Sequence, residues 1–341
     1  MKSIKDNKPA LSRDFSLDLS RAIGTLLIIL AHVGAPNVVN EIRCFDVVLL
    51  VFVSGYCINY VDYGKYLWKR FKRLVIPAWI LLVVLFSATW VACFIVNKEQ
   101  IYSATTILKS FFFLNGGIGF IWIVRIYMGV AILTPVLVWI NKFIKSNSAF
   151  LAFSFAFILM NSFVARKYCT ENTSIIYYMI EILAYSSVAL IGYRYKQMGK
   201  TNWQNTPRYI LSLLAITTVG NIVTICLFGF QPNENKYPPV EPYLFYGMFV
   251  TALIFLAING LNIQINAKLE NSICKFSILS YDTYLIHIFM LSVFDLLEEM
   301  IKDPIDWRIK YLAVLVLSFL GALVFDKIRL LLKKKCVSVS R

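Results

Sequence analysis

LDLSRAIGTLLIILAHVGAPNVV, residues 17–39, decides how the rest of the chain is read. It is an apolar run with Arg21 near its start and His32 well inside it. In an ideal α-helix, at about 100° per residue, the step from Arg21 to His32 turns through about 1100°, roughly 20° beyond three full turns, and rises roughly 16 Å. The two side chains are therefore expected on one face. A bilayer core is about 30 Å thick, which places Arg21 near one surface and His32 near mid-membrane. Ionisable groups at that depth are costly, and the cost marks this stretch as a candidate functional centre.

The whole chain has the same character. Of its 341 residues 59% are hydrophobic and 16% charged, and the mean hydropathy is +0.68, the composition of a membrane protein. The net charge of +15 sits in short clusters between apolar runs, so it reads as topology and gives no reason to expect nucleic acid. The basic start, MKSIKDNKPALSRD, precedes an apolar run as a signal peptide would, but no small-residue cleavage site follows, and a retained first helix is expected. Cys44, Cys57, Cys93, Cys169, Cys226, Cys274 and Cys336 stand singly, implying neither a disulfide framework nor a metal site. With only His32 and His287 in the chain, no zinc site is expected.

Ten apolar stretches are long enough to cross a bilayer, or nearly so: 19–39, 44–60, 74–96, 118–140, 149–165, 175–193, 209–230, 243–262, 276–296 and 309–328. Alternating sides from an inner N-terminus collects most of the basic residues inside: Lys2, Lys5, Lys8 and Arg13; Lys65, Lys69, Arg70, Lys72 and Arg73; Lys142 and Lys145; Arg194, Lys196, Lys200 and Arg208; Lys268 and Lys275; and the tail from Lys327 through Lys333, Lys334 and Lys335. Arg43, Lys98, Lys109, Lys236 and Lys302 fall outside. The expectation is an all-α, polytopic integral membrane protein of about ten transmembrane helices. One domain covers 1–341, with a cytoplasmic N-terminal tail (1–16), a basic cytoplasmic C-terminal tail (329–341), and both termini inside. The outward connections NENKYPPVEP (233–242) and EEMIKDPIDW (298–307) read as exposed loops, and 101–116 as a helix at the outer interface or dipping into the protein.

Several patches, in order, resemble the membrane acyltransferase 3 family of bacterial polytopic O-acetyltransferases. They are LDLSRAIGTLLIILAH with its arginine and histidine; LVFVSGY (50–56); YLWKRFKRLVIPAW (66–79) with paired arginines before a proline; IWIVRIYMGVAILTPVL (121–137); and LSYDTYLIHIFM (279–290). The chain departs from that pattern at Asp46, which stands eight residues before Ser54, and in keeping only Phe52 of an aromatic pair. Some members carry a soluble esterase-like domain after the helices; here transfer is expected from the membrane part alone or with a separate protein. The resemblance implies a multi-pass protein of the bacterial inner (plasma) membrane. It implies acetyl-CoA as donor substrate with no permanently bound cofactor, and a saccharide or lipid-linked saccharide acceptor among membrane lipid. Polysaccharide-assembly proteins are possible partners. A non-sugar acceptor, or a glycan transporter using intramembrane charges as a pathway, is the alternative.

Within that frame His32 is expected to be the general base or a nucleophile that carries the acyl group, because imidazole titrates near working pH. Arg21 is expected to hold donor phosphates at the entrance, with Asp18 capping the helix. Arg70 and Arg73 are the second choice for that pocket, at the entry to a helix where free amide N–H groups also favour phosphate; the positive-inside bias alone explains basic residues there equally well. Trp122 and Tyr127 fit either an aromatic belt or the site. Arg125 calls for an acidic partner, with Glu181 the candidate. Ser280, Tyr284 and His287 fall at i, i+4 and i+7 on one face, lining an acceptor cavity or making interhelical hydrogen bonds. Ser54 and Gly55 are read as a point of close helix approach.

Overall fold

A computed structural model describes residues 14–95, 97, 99–169, 171–201, 205–260 and 266–339. Lys2, Lys5, Lys8, Arg13 and Lys98, most of the expected 1–16 tail, and the side chains of Lys200, Lys333, Lys334, Lys335 and Cys336 lie outside the described residues. Among the described residues the chain is helical and forms no strand: α1 (Phe15–Leu30), α2 (Asn37–Arg43), α3 (Asp46–Tyr56), α4 (Tyr63–Ile95), α5 (Ala104–Phe111), a 3-10 turn (Gly119–Ile121), α6 (Trp122–Phe143), α7 (Asn147–Tyr168), α8 (Ile175–Thr201), α9 (Asn205–Phe228), α10 (Glu241–Gly260), α11 (Ala267–Ile301) and α12 (Trp307–Val339).

Seven of these are long and apolar enough to cross a bilayer: α4, α6 with its preceding turn, α7, α8, α9, α10 and α12. Ile80, Val83 and Val84 on α4, Val219, Ile222 and Val223 on α9, and Leu312, Val316 and Leu320 on α12 are exposed, an apolar outer surface suited to lipid. The other three stretches expected to cross contain α1, α3 and α11. At 16 and 11 residues, α1 and α3 are about 24 and 16 Å long, less than a bilayer core of about 30 Å. The 35-residue α11 is long enough but carries Ser277, Ser280, Asp282 and His287 along its middle.

The stretch 19–39 is not one helix. His32 N–H bonds back to the Ile29 carbonyl at 3.1 Å, a 3-10-like closure, and Gly34 follows with φ +76°. Pro36 then precedes α2. Glycine supplies the left-handed conformation that stops α1, and proline cannot continue the ladder. His32 thus sits on the turn just past α1. The helix starts at Asp14, whose carboxylate accepts from Ser16 N–H at 3.0 Å, so the cap is Asp14 and not Asp18.

At the centre lies α3. Val47, Val48, Leu49, Val51, Phe52 and Val53 are each at most 3% exposed, as expected of a helix apolar all round, and α1, α8 and α10 surround it. Its closest neighbour is α8. A Cβ on Gly55 would lie 2.0 Å from the Ala189 carbonyl oxygen, and one on Gly192 would lie 2.2 Å from that of Phe52, so the two backbones touch only because both positions lack a side chain. Gly55→Ala is expected to push the helices apart and cost about 1–3 kcal/mol, read as a lowered thermal unfolding midpoint of the detergent-purified protein.

Candidate functional site

Two adjoining cavities follow the course of α1. The larger, about 470 Å³, is lined from α1 by Arg21, Thr25 and Ile28, which at i, i+4 and i+7 share one helical face. The first two turns of α4 and the one after them form the basic wall, with Lys65, Lys69, Arg70 and Arg73. Tyr127, Ser280, Tyr281 and Tyr284 complete the side towards α6 and α11. Arg70 and Arg73 lie well inside α4, which begins at Tyr63. Their backbone N–H groups are therefore bonded within the helix, and only the guanidinium groups are available to an anion.

Arg21 is held from two sides. Its Nη1 donates to Asp18 Oδ1 at 3.2 Å and its Nη2 to Cys57 Sγ at 3.0 Å. Asp18 is buried and also accepts from Ser277 Oγ at 2.7 Å and Cys274 Sγ at 3.0 Å. It therefore ties α1 to α11 and fixes the direction of the guanidinium. The arginine remains partly exposed at the mouth of the cleft.

Ile28, Ile123 and Tyr284 line both cavities and so stand between them. Beyond them is a chamber of about 20 Å³ lined by His32, Asp46, Phe120, Trp122, Lys236 and Tyr237, among others. His32 Nδ1 is 3.1 Å from His287 Nε2, and His287 Nδ1 contacts the Tyr284 carbonyl. A carbonyl only accepts, which assigns the proton of His287 to Nδ1 and makes its Nε2 an acceptor. His32 then donates from Nδ1, and its own Nε2 is left with a free lone pair. The Tyr284 hydroxyl donates to the Phe120 carbonyl, pinning the 3-10 turn against α11. The Phe120 ring is thereby held 4.6 Å from the His32 ring.

The opposite wall of the chamber is charged. Asp46 is fully buried and accepts from Arg43 Nη1 at 2.7 Å, from Lys236 Nζ at 3.4 Å and from the Val47 N–H at 2.7 Å. Lys236 comes from the 233–242 connection, which was expected to be exposed; instead it folds inward, and this lysine is 5% exposed. Burial opposes its charge, but Asp46 outweighs burial and holds the lysine above its ordinary pKa. Asp46, Lys236 and Tyr237 are the groups at the chamber that sequence reasoning did not put forward. Trp122 is no lipid-belt residue: its ring packs 5.9 Å from Tyr185 and 5.3 Å from Tyr237.

Arg125 and Glu181 do meet, at 2.5 Å and with both side chains buried. Arg125 also donates to the Phe113 carbonyl and lies over the Tyr178 ring. Neither residue lines either cavity. They clamp the segment that leads from α5 into the turn carrying Phe120. Ser54 lines the larger cavity beside Gly55.

The chain matches, over residues 14–327, a family model described as an acyltransferase domain. Comparison with curated proteins found no match, and comparison with solved structures found none either.

Proposed function

The chain belongs to the acyltransferase 3 family, and from that premise we propose that it transfers an acetyl group from acetyl-CoA to a hydroxyl of a bacterial surface polysaccharide or its lipid-linked precursor. The class, a membrane acyltransferase, follows from the family; the donor reading is supported by the basic cleft, and the acceptor is what the family resemblance implies. The observation that carries the reading is a basic cleft that shares Ile28, Ile123 and Tyr284 with the chamber of a histidine whose Nε2 is left free by its bond to a second histidine. A polyanionic donor with a long neutral arm and a terminal thioester has the same order of chemistry.

In this reading the protein sits in the bacterial inner membrane with both termini cytoplasmic, and α1, α3 and α11 join the seven long helices to complete ten passages. The donor enters from the cytoplasm. Arg21, Arg70 and Arg73 take its phosphates. The pantetheine arm runs past Thr25 and Ile28, and the thioester reaches the neck at Ile28, Ile123 and Tyr284. His32 Nε2 removes the proton of the acceptor hydroxyl as that oxygen attacks the thioester carbon. The C–S bond then breaks, and the thiolate takes the proton back from His32 to leave as CoA. His287 acts as a positioning residue, holding the His32 tautomer as the second member of a hydrogen-bonded relay.

The host's surface glycan tests this reading. With the protein present, its mass per repeat should exceed that of a deletion strain by one acetyl group replacing hydrogen, removable by mild base; identical glycans would refute it. The donor half has its own test. Arg70→Gln and Arg73→Gln are each expected to raise KM for acetyl-CoA roughly tenfold with kcat retained, because a charged hydrogen bond to a phosphate is made equally in ground and transition states. Steady-state label transfer at varied acetyl-CoA concentration reads this directly.

A further inference from the structure

We infer that Lys236 is a catalytic residue of this site, its ammonium supplying the positive charge that stabilises the oxyanion formed when the acceptor oxygen adds to the thioester. The inference rests on the acyl-transfer reading above. It starts from an imbalance of charge at the chamber wall. Asp46 has a direct partner in Arg43 at 2.7 Å, and that pair alone balances one acid against one base. Lys236 is the second cation on the same carboxylate, at the longer distance of 3.4 Å, so the three side chains together carry one net positive charge.

Keeping a second cation buried is costly, and a well-packed apolar side chain would avoid the cost. The surroundings retain the charge without cancelling it. Lys236 Nζ lies 6.0, 5.6 and 5.9 Å from the ring centres of Trp122, Tyr237 and Tyr243, faces that attract a cation but carry no net charge. The same lysine lines the chamber that holds His32. A fixed cation beside a general base is the arrangement that stabilises charge developing in a transition state.

The acceptor O–H bond breaks and its proton goes to His32 Nε2. The acceptor oxygen forms a bond to the thioester carbon, and the carbonyl π pair moves to its oxygen, opposite Lys236. That pair then re-forms the C=O bond, the C–S bond breaks, and the thiolate sulfur takes the proton from His32. The ammonium keeps all three of its protons throughout. The α9–α10 connection is thus assigned a chemical role, as the segment that carries a cation to the reacting carbonyl.

The test uses membranes from the host strain lacking its own copy, which contain the natural acceptor, with acetyl-labelled acetyl-CoA as probe. Wild type, Lys236→Met, Lys236→Gln and Lys236→Arg are compared for kcat, for KM of acetyl-CoA and for thermal unfolding in detergent. Met and Gln are expected to lower kcat on the order of 100-fold, with KM and unfolding near wild type because Arg43 still balances Asp46. Arg, which keeps the charge, should recover part of the loss. Unchanged kcat in Met or Gln overturns the inference. So does a rise in KM with kcat intact, which would put Lys236 at the donor phosphates, and so does loss of folded protein in both variants, which would make the charge a requirement of the fold. A wild type that transfers no label refutes the acetyl-transfer reading itself and this inference with it.

Discussion

Substitution of His32 with alanine is expected to abolish acyl transfer while the protein is still made and inserted. His32 stands on a turn after α1, partly accessible from the chamber, and its removal takes away a small ring and one hydrogen bond to His287. The core built on α3 does not depend on it. A positioned general base contributes typically about 100- to 10,000-fold, and removing a group that also returns the proton to the leaving thiolate should reach at least the upper part of that range. The partner separates orientation from chemistry. His287→Ala removes the acceptor for His32 Nδ1–H and should lower kcat without changing KM for acetyl-CoA. His287→Asn, whose amide oxygen can accept the same bond, should retain more. Label transfer in host membranes, normalised to the amount of folded protein, measures all three variants.

The second large effect falls on stability. Arg125→Ala is expected to cost about 3–5 kcal/mol, the penalty for leaving the buried Glu181 carboxylate without its partner. It should also release the Phe113 carbonyl and the segment before Phe120, so catalysis falls with stability. Replacing both members, as Arg125→Met with Glu181→Met, removes the stranded charge and should restore most of the loss in unfolding midpoint. A site role for the pair would give the opposite pattern: a double variant that unfolds like wild type yet transfers nothing. Neither side chain lines a cavity, and the first pattern is the one expected.

The polar groups that sequence made legible share one property: they place charge or a titratable ring inside an apolar run, where so few exist that each stands out. Arg21 and His32 are of this kind, and so are Arg125 with Glu181 and His287 with Ser280 and Tyr284 on its face. What stayed hidden depends on the chain folding back on itself. NENKYPPVEP has the prolines and polar residues of an exposed loop, and nothing local to it says that Lys236 turns inward. A trace of the answer was present in the topology. Arg43 and Lys236 were two of the few cations on the side that should be poor in them, and both are buried on Asp46; neither is the surface charge that the positive-inside bias counts. Asp46 departs from the family pattern in its distance from Ser54, yet one carboxylate at the start of a buried helix calls for partners.

The fold was legible in class, and what surrounds each apolar helix was not, for a physical reason. An apolar run shows that a segment avoids water, but lipid and protein interior satisfy it equally. The stretch 44–60 has the hydropathy of a lipid-facing crossing, whereas α3 inside it is short and packed among α1, α8 and α10. The end of α1 was readable from Gly34 and Pro36, which break a helix even where hydropathy continues. Trp122 shows the same ambiguity for one side chain. An aromatic residue near a helix end suits the membrane interface, and only the packing against Tyr185 and Tyr237 places it on a chamber wall.

The measurement that bears most directly on His32 as the transfer centre follows the label itself. Host membranes containing the wild-type chain are incubated with acetyl-labelled acetyl-CoA, and the label is located after separating CoA from glycan. In wild type it should move to the glycan as an ester released by mild base, and in His32→Ala it should remain on CoA. Label that stays on CoA in wild type, or that reaches the glycan equally in the His32 variant, would contradict it.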